Sequence, residues 1–437
     1  MNCHYVPVFN PACGPVYLDM KYLLALFLTL SVFAAKAAFI LIPMDDVQKD
    51  HLKSYGIAFW VLKNGETVDW LLNYRGGSFM TQYVKKTEDE CKIRGISYEV
   101  IADAKANEII TEISDPSVNM DVVKLEKAPK IAVYAPKERF VDNDDAVILV
   151  LQYAEIPFDI IYDSEILKGD LSKYDWLHLH HEDFTGQYSK SYRRIKDQPI
   201  FIEDKKAQEA TAHSFGYQKV SQMKLAVARR IRDYCAGGGF LFAMCSGADS
   251  FDIALAACNT DICGAVYDGD PADPMAQSKL DFGQTLAFQN FTVNTNPYSH
   301  VFSDIDVTHT RHIRREDDFF TLFDFSAKWD VVPCMLTQDH DRVIKGFKGL
   351  ATAFNISKLK PDVTILGELK SAGEAHYIHG EYGKGQWTFY GGHDPEDYAH
   401  NSGEPPTDLS LHPNSPGYRL ILNNVLFPAA RRKKQKT

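Results

Sequence analysis

In the stretch GGGFLFAMCSGADSFDIALAAC, from Gly237 to Cys258, one cysteine has a small residue two places to either side, Ala243 before it and Gly247 after it. An apolar, strand-like run leads straight into Cys245, and a helical pattern begins straight after it. A strand-to-helix turn without loop residues forces its central residue into strained backbone angles and tolerates only small neighbours. It also aims the free N–H groups of the helix start at the side chain, where they lower a thiol's pKa and hold an oxyanion. The pattern predicts Cys245 as a nucleophile with a pKa well below the free value of ~8.5. Ser246 and Gly247 are the expected oxyanion donors. The competing reading is a small buried residue at the end of a core strand, where free cysteine is common.

A thiol nucleophile needs a base. In YGGHDPEDY (Tyr390 to Tyr398), His393 follows the strand-like QWTF, which puts it beyond a strand's carboxyl end, on the same edge as Cys245. Glu396 or Asp394 is placed to orient its imidazole. The blander alternative is a loop histidine capping a turn before Pro395. A third cluster, HLHHEDFTG (His178 to Gly186), closes the strand that begins at Tyr174. Strand alternation sets His178 and His180 on one face. His181, Glu182 and Asp183 spill onto the ligand edge. The expected substrate-binding set is His180, His181, Glu182, Asp183, Ser246, Gly247, Asp249 and Asp394. Imidazole plus carboxylate also suits zinc, but that reading ranks below both substrate contact and a hydrogen-bonded strand end, so no metal and no cofactor are expected. The charged run HTRHIRRED (His309 to Asp317) reads as a solvated edge.

These residues must be carried by a scaffold. From Lys130 onward KIAVYAP, FDIIYD, YDWLHLHH and FLFAMC read as strands, with DNDDAVILVLQYAE, SQMKLAVARRIRDYCAGGG and SGADSFDIALAAC as helices between or after them. Alternating strands and helices predict an α/β fold, a doubly wound parallel sheet of flavodoxin-like type with ligands beyond the strands' carboxyl ends. A polar stretch from Glu182 to Val220 interrupts it. Later segments, including WDVVPCML, VTILGEL, EAHYIHGEY and QWTFYGGHD, read as strands mostly in hairpins, and SPGYRLILNNVLFPAARR as a closing helix. Residues 39–125 read as a small N-terminal α/β domain with RGGSF as a glycine turn. EISDPSVNMDVVKLEKAPK reads as a linker before a domain spanning 130–430. Residues 431–437 form a basic tail.

The formal net charge is −11, and the tail carries five positive charges, so the body is more acidic still. An acidic body is a poor partner for phosphate backbones, and nucleic acid is not expected. From Met20, a lysine, an apolar run and the small-residue pattern Ala35-Lys36-Ala37 describe a Sec-type signal peptide, with residues 1–38 as upstream extension plus signal. A periplasmic or secreted protein is expected, with no stable membrane span after cleavage and a small-molecule substrate. Export makes a small disulfide loop between Cys258 and Cys263 reasonable.

Four stretches carry a resemblance: AGGGFLFAMCSG, NPYSHVFSDI, HGEYGKGQWTFYGGHD and GYRLILNNVLF. Through them residues 130–430 resemble the class I glutamine amidotransferase-like superfamily, nearest its ThuA-like branch. There an elbow cysteine attacks an amide while a histidine-proline-glutamate motif supplies the base and its orienter. The resemblance implies Cys245 as nucleophile, His393 as base and Glu396 as orienter. The order here, His393-Asp394-Pro395-Glu396, is one residue longer. The full chain is similar to exported proteins of Bacteroidetes-type bacteria commonly labelled asparagine synthetase B. Such synthetases carry a pyrophosphate loop, SGGxDS, from which Ser246-Gly247-Ala248-Asp249-Ser250 departs by being one residue short. The expected function is an exported amidotransferase-like cysteine hydrolase acting on a small amide or carbohydrate-derived substrate. The alternatives are a non-catalytic sugar- or peptide-binding ThuA-like module and a glutamine-hydrolysing asparagine synthetase.

Overall fold

The computed structural model describes residues 1, 37–136, 144–190, 196–330, 332–400 and 404–430. The expected signal segment up to residue 36 and the basic tail lie outside them. Among the described residues, no helix is long and apolar enough to cross a membrane.

Five strands form a first sheet: β1 (Ala37–Ile42), β2 (Val68–Leu72), β3 (Ser78–Gln82), β4 (Glu99–Ala102) and β5 (Asp121–Leu125). Their order is β4-β1-β3-β2-β5, antiparallel throughout. Helices α1 (His51–Lys63), α2 (Lys85–Arg94) and α3 (Asp103–Ser114) accompany them. Two expectations fail here. The segment after the glycine turn, SFMTQ, is a central strand, and the expected linker contains the last three residues of α3 and all of β5. In β5 the alternation is short, with only Val123 and Leu125 buried, and its polar flanks hid it.

The second sheet has ten strands. Its parallel part comprises β6 (Ile131–Tyr134), β7 (Asp159–Ile161), β8 (Trp176–Leu179), β9 (Phe240–Met244) and, much later in the chain, Gly385–Tyr390. Between β9 and that last strand lie β10 (Phe319–Leu322), β11 (Val343–Lys345), β12 (Phe354–Asn355), β13 (Thr364–Leu369) and β14 (Glu374–Tyr382), which makes Gly385–Tyr390 β15. The path runs β11-β10-β13-β14-β15-β9-β8-β6-β7, with β12 pairing β14. From β15 to β7 every neighbour is parallel, and from β15 to β11 every neighbour is antiparallel. The fold is therefore mixed α/β with a large mixed sheet containing parallel strands. The runs IAVY, WLHL and FLFAM are almost wholly buried, as strands covered on both faces must be.

Helices α4 (Ala146–Tyr153), α5 (Asp163–Lys168), α6 (Pro199–Ser214), α7 (Val220–Gly237), α8 (Ser246–Ala256) and α9 (Pro416–Leu426) belong to this part. The polar stretch after Glu182 holds α6, and WDVVPCML forms a helical turn at Pro333–Leu336 rather than a strand, because Pro333 opens it without an N–H to give a ladder. The six described cysteines after residue 38 are free thiols, so Cys258 and Cys263 form no loop. The Cys263 thiol instead donates to the Thr185 carbonyl at 3.1 Å.

The two sheets share one core. Residues of β1, β2 and α1 lie in the same apolar cluster as α4 and α9. Arg419 of α9 stands fully buried in that seam. Its Nε donates to the Tyr55 hydroxyl at 3.0 Å, Nη1 to the Met44 carbonyl at 3.3 Å, and Nη2 to the Gly76 carbonyl. Arg419→Met keeps the bulk but leaves those acceptors dry. Loss of about 2–3 kcal/mol is expected, read as a lower urea midpoint by circular dichroism.

Candidate functional site at the carboxyl edge of the parallel strands

Register places the site. Met244 of β9 pairs with Tyr390 of β15, Ala243 with Leu179 of β8, and Leu179 with Tyr134 of β6. The residues just beyond, Cys245, Gly391 to His393, and His180, therefore emerge on one edge. Asp145 joins them as the N-cap of α4, its carboxylate accepting from the amides of Val147 and Ile148.

Cys245 sits at φ 51°, ψ −142°, a conformation that non-glycine residues avoid. The elbow is thus present. Gly247 is required beside it, since a Cβ there would run into the His180 carbonyl. The thiol's surroundings differ from expectation. Its sulfur accepts from the Leu350 amide at 3.1 Å. Burial pushes the thiol up to about 11, although the amides of Leu350, Ala351 and Ser246 pull the other way. A helix start cannot lower a thiol's pKa when the same packing removes its water. The expected oxyanion pair is also altered, because the Gly247 amide is bonded to the His180 carbonyl at 2.5 Å. All of Ser246 to Ser250 is buried in the first turns of α8, so this segment offers no open amides to a pyrophosphate.

His393 lies close by: a Cβ built on Gly349 would stand 3.1 Å from the Cys245 sulfur and 3.0 Å from the His393 amide nitrogen. Its imidazole, however, engages other partners. His393 Nδ1 meets His180 Nε2 at 2.7 Å. His180 Nδ1 in turn faces Asp145 at 3.4 Å, and His178 Nε2 faces the same carboxylate at 3.3 Å. These two contacts are long for hydrogen bonds and act mainly through charge. Burial would raise the Asp145 carboxyl, yet His180 and His178 beside it hold it well below the usual range. Burial, then His180 and His181, depress His393 well below the ordinary imidazole value. His393 is neutral at pH 7.

The remaining expected site residues divide. His180 and His181 stand in the cluster with His393, their ligand nitrogens all within 4.8 Å of one another. The Glu182 carboxylate accepts from the Tyr162 hydroxyl at 2.9 Å, beside a buried Lys224–Asp163 ion pair at 2.9 Å. Asp183 is turned inward and accepts from the amides of Thr185, Gln187 and Ser189, which fixes the following turn instead of facing a ligand. Asp249 is buried, and burial together with neighbouring Asp306 keeps its carboxyl well above the usual range. Asp394 accepts from the Glu396 amide at 2.9 Å. Glu396 reaches His412 at 3.1 Å and does not orient His393. The extra residue between histidine and proline turns that glutamate away. Asp145 instead faces His180, whose other ring nitrogen meets His393. The signal of Asp145 in the sequence was an aspartate just before the apolar helical run AVILVLQY, at the N-cap.

Two further residues complete the rim. The Asp144 carboxylate lies 3.8 Å from His393 Nε2 and 3.6 Å from His400 Nε2. His400 Nδ1 is 2.9 Å from Asp397. Cavities of about 510 and 530 Å³ open at the opposite, amino-terminal edge of the strands and contain none of these groups.

No family model matches the chain, and no curated protein matches it. Among solved structures it is similar to the cytoplasmic protein STM3548 from Salmonella typhimurium, at 10% identity over 69% of this chain and 100% of that one, with a TM-score of 0.33. It is similar to the cytoplasmic protein STM1381 from Salmonella typhimurium LT2 at 12% identity, with the same coverage and a TM-score of 0.31. A beta-galactosidase from Bacillus circulans sp. alkalophilus matches at 11% identity over 61% of this chain and 29% of its own length, with a TM-score of 0.26. Likeness of this degree assigns neither a family nor an activity to the chain.

Proposed function

We propose that the chain is an exported cysteine hydrolase of amidotransferase-like type, acting on a small amide or carbohydrate-derived substrate. The carrying observation is the backbone of Cys245, a non-glycine residue at φ 51° on a strand-to-helix elbow. Such strain costs roughly 1–3 kcal/mol and persists only where the surroundings enforce it. A cysteine present for packing alone needs no such turn. The strand order β7-β6-β8-β9-β15 supports the reading, because numbered along the chain it runs 2-1-3-4-5, the order of flavodoxin-like sheets. In that arrangement ligands bind outside the carboxyl ends near the switch point, here between β6 and β8, where Asp145 and His180 stand.

In this reading the substrate displaces the Gly349–Ala351 segment from the sulfur. His393 takes the thiol proton, the thiolate attacks the carbonyl carbon, and the Leu350 and Ala351 amides turn to the resulting oxyanion. The proton returns to the leaving amine as the C–N bond breaks, and water then hydrolyses the thioester. A second reading, a binding module with an inert cysteine, is favoured by one observation. With the thiol raised and the imidazole depressed, proton transfer between them is uphill in the closed arrangement.

One experiment separates the two. Ammonia release from glutamine, asparagine and amidated sugars is measured with the wild type and Cys245→Ala, alongside thermal shifts. Turnover that vanishes in the variant supports the hydrolase. Stabilisation by a ligand in both proteins, with no turnover, favours the binding module. Neither turnover nor stabilisation across the panel overturns both.

A further inference from the structure

We propose that Asp144, His393 and His400 form a binding site for a divalent transition-metal ion of zinc type. The ligand atoms Asp144 Oδ2, His393 Nε2 and His400 Nε2 all lie within 4.8 Å of one another. The two nitrogen-to-oxygen separations, 3.8 and 3.6 Å, are too long for hydrogen bonds. They are close to the roughly 3.3 Å between ligands of a tetrahedral ion bound at ~2.0–2.1 Å. Both Nε2 atoms are shielded from solvent and have no hydrogen-bond partner among the described residues. The His400 side chain is only 6% exposed. A buried, unpartnered imidazole nitrogen aimed at a carboxylate is costly to leave empty.

The outer contacts make the same point. A ligating histidine typically donates its other ring N–H to a carboxylate or another acceptor, which fixes the tautomer and leaves the ligating nitrogen bare. His400 Nδ1 meets the Asp397 carboxylate, which can only accept, so Nδ1 carries the proton and Nε2 does not. The Asp145 carboxylate, 3.4 Å from His180 Nδ1, favours the proton on that nitrogen through its charge, so His180 Nε2 accepts from His393 Nδ1, and His393 Nε2 is bare as well. Two separate carboxylates thus prepare two lone pairs facing a third. Two imidazoles and one carboxylate leave a tetrahedral ion one open position. Asp144, 29% exposed, gives an entry path.

The site shares His393 with the hydrolase reading but does not rest on it. An ion would occupy the lone pair that the thiol's proton requires, so zinc would suppress amide hydrolysis there. The test reads the metal and not turnover. The purified chain, stripped with chelator, is titrated with Co²⁺ and separately with Zn²⁺, using Mg²⁺ as a control. One tightly bound ion per chain is expected, with visible cobalt bands and no near-ultraviolet thiolate band. His400→Ala and Asp144→Ala, checked for native circular dichroism, should each abolish tight binding. Asp397→Asn should weaken it about 10–100-fold. Co²⁺ and Zn²⁺ binding no tighter than Mg²⁺, or binding unchanged in His400→Ala, overturns the proposal. A thiolate band that disappears in Cys245→Ala does so too, because the ion then sits on the sulfur.

Discussion

At pH 7, iodoacetamide should modify Cys245 at least about twenty times more slowly than a free thiol. With its pKa pushed up to about 11 by burial, only on the order of 10⁻⁴ of the sulfur is thiolate at that pH, against about 3% for a thiol near 8.5. The more basic thiolate is a better nucleophile, which recovers roughly tenfold of that deficit. Cover by the Gly349–Ala351 segment slows access further. The sign with pH follows directly. The rate should climb about tenfold per pH unit from 7 toward 11 and show no plateau below 10. Peptide mapping by mass spectrometry, with glutathione as reference, measures it. A plateau below pH 8 would falsify the closed, protonated thiol and restore the reading of a helix-activated nucleophile. A ligand that draws the covering segment away should raise the rate at fixed pH, so the same assay can screen for substrates. In that way a buried thiol and an enzymatic role are compatible: activation belongs to the liganded state.

The elements that present the site were readable because their signals are local. FLFAM into SGADS, and the run YDWLHLHH, are short stretches whose period and punctuation mark strand, turn and helix unaided. The edge shared by Cys245 and His180 followed from parallel strands, and His393 joins it because β15, read only as a late strand, pairs parallel with β9. What could not be read was which side chains meet. Glu396 stands three residues from His393, yet one extra residue in the turn sends it to His412. Asp145 is far from both in the chain, and only the pairing of β6 with β8 brings it to His180. Arg311, in a run that reads as solvated, is buried between Asp318 and Glu374. Charge in a sequence says nothing of whether a carboxylate from another strand awaits it. The strand β5 was missed for a related reason. Its partner β2 supplies the apolar face that its own five residues barely declare. The thiol's pKa was misjudged because a helix start and desolvation act together, and only packing reveals which is stronger.

One carboxylate ties the elbow helix to the 286–288 segment, and Asp252→Ala should destabilise the protein by about 3–5 kcal/mol. Asp252 lies one helical stretch beyond Cys245 on α8 and is fully buried. Its Oδ1 accepts from the Leu286 amide at 2.7 Å, and its Oδ2 from Ala287 at 2.7 Å and Phe288 at 2.9 Å. Removing it leaves three amides without partners, each costing about 1–3 kcal/mol, with some recovery as the segment relaxes. The pH dependence has a definite direction. Burial pushes Asp252 up to about 6, above its ordinary value of 3.8, while the three amides restrain the rise. A folded-state pKa above the unfolded one means that its contribution is complete below about 4 and falls as pH rises through about 6. The gap between wild type and Asp252→Ala should therefore be widest near pH 4.5 and narrower at pH 7. Urea midpoints at the two pH values, followed by circular dichroism, measure both the size and the direction. Equal midpoints at pH 4.5, or a gap that widens toward pH 7, would show that this carboxylate does not hold the 286–288 segment against the elbow helix. If the gap behaves as expected, slow unfolding of α8 should also expose Cys245, and Asp252→Ala should label faster at its elbow than the wild type at the same pH.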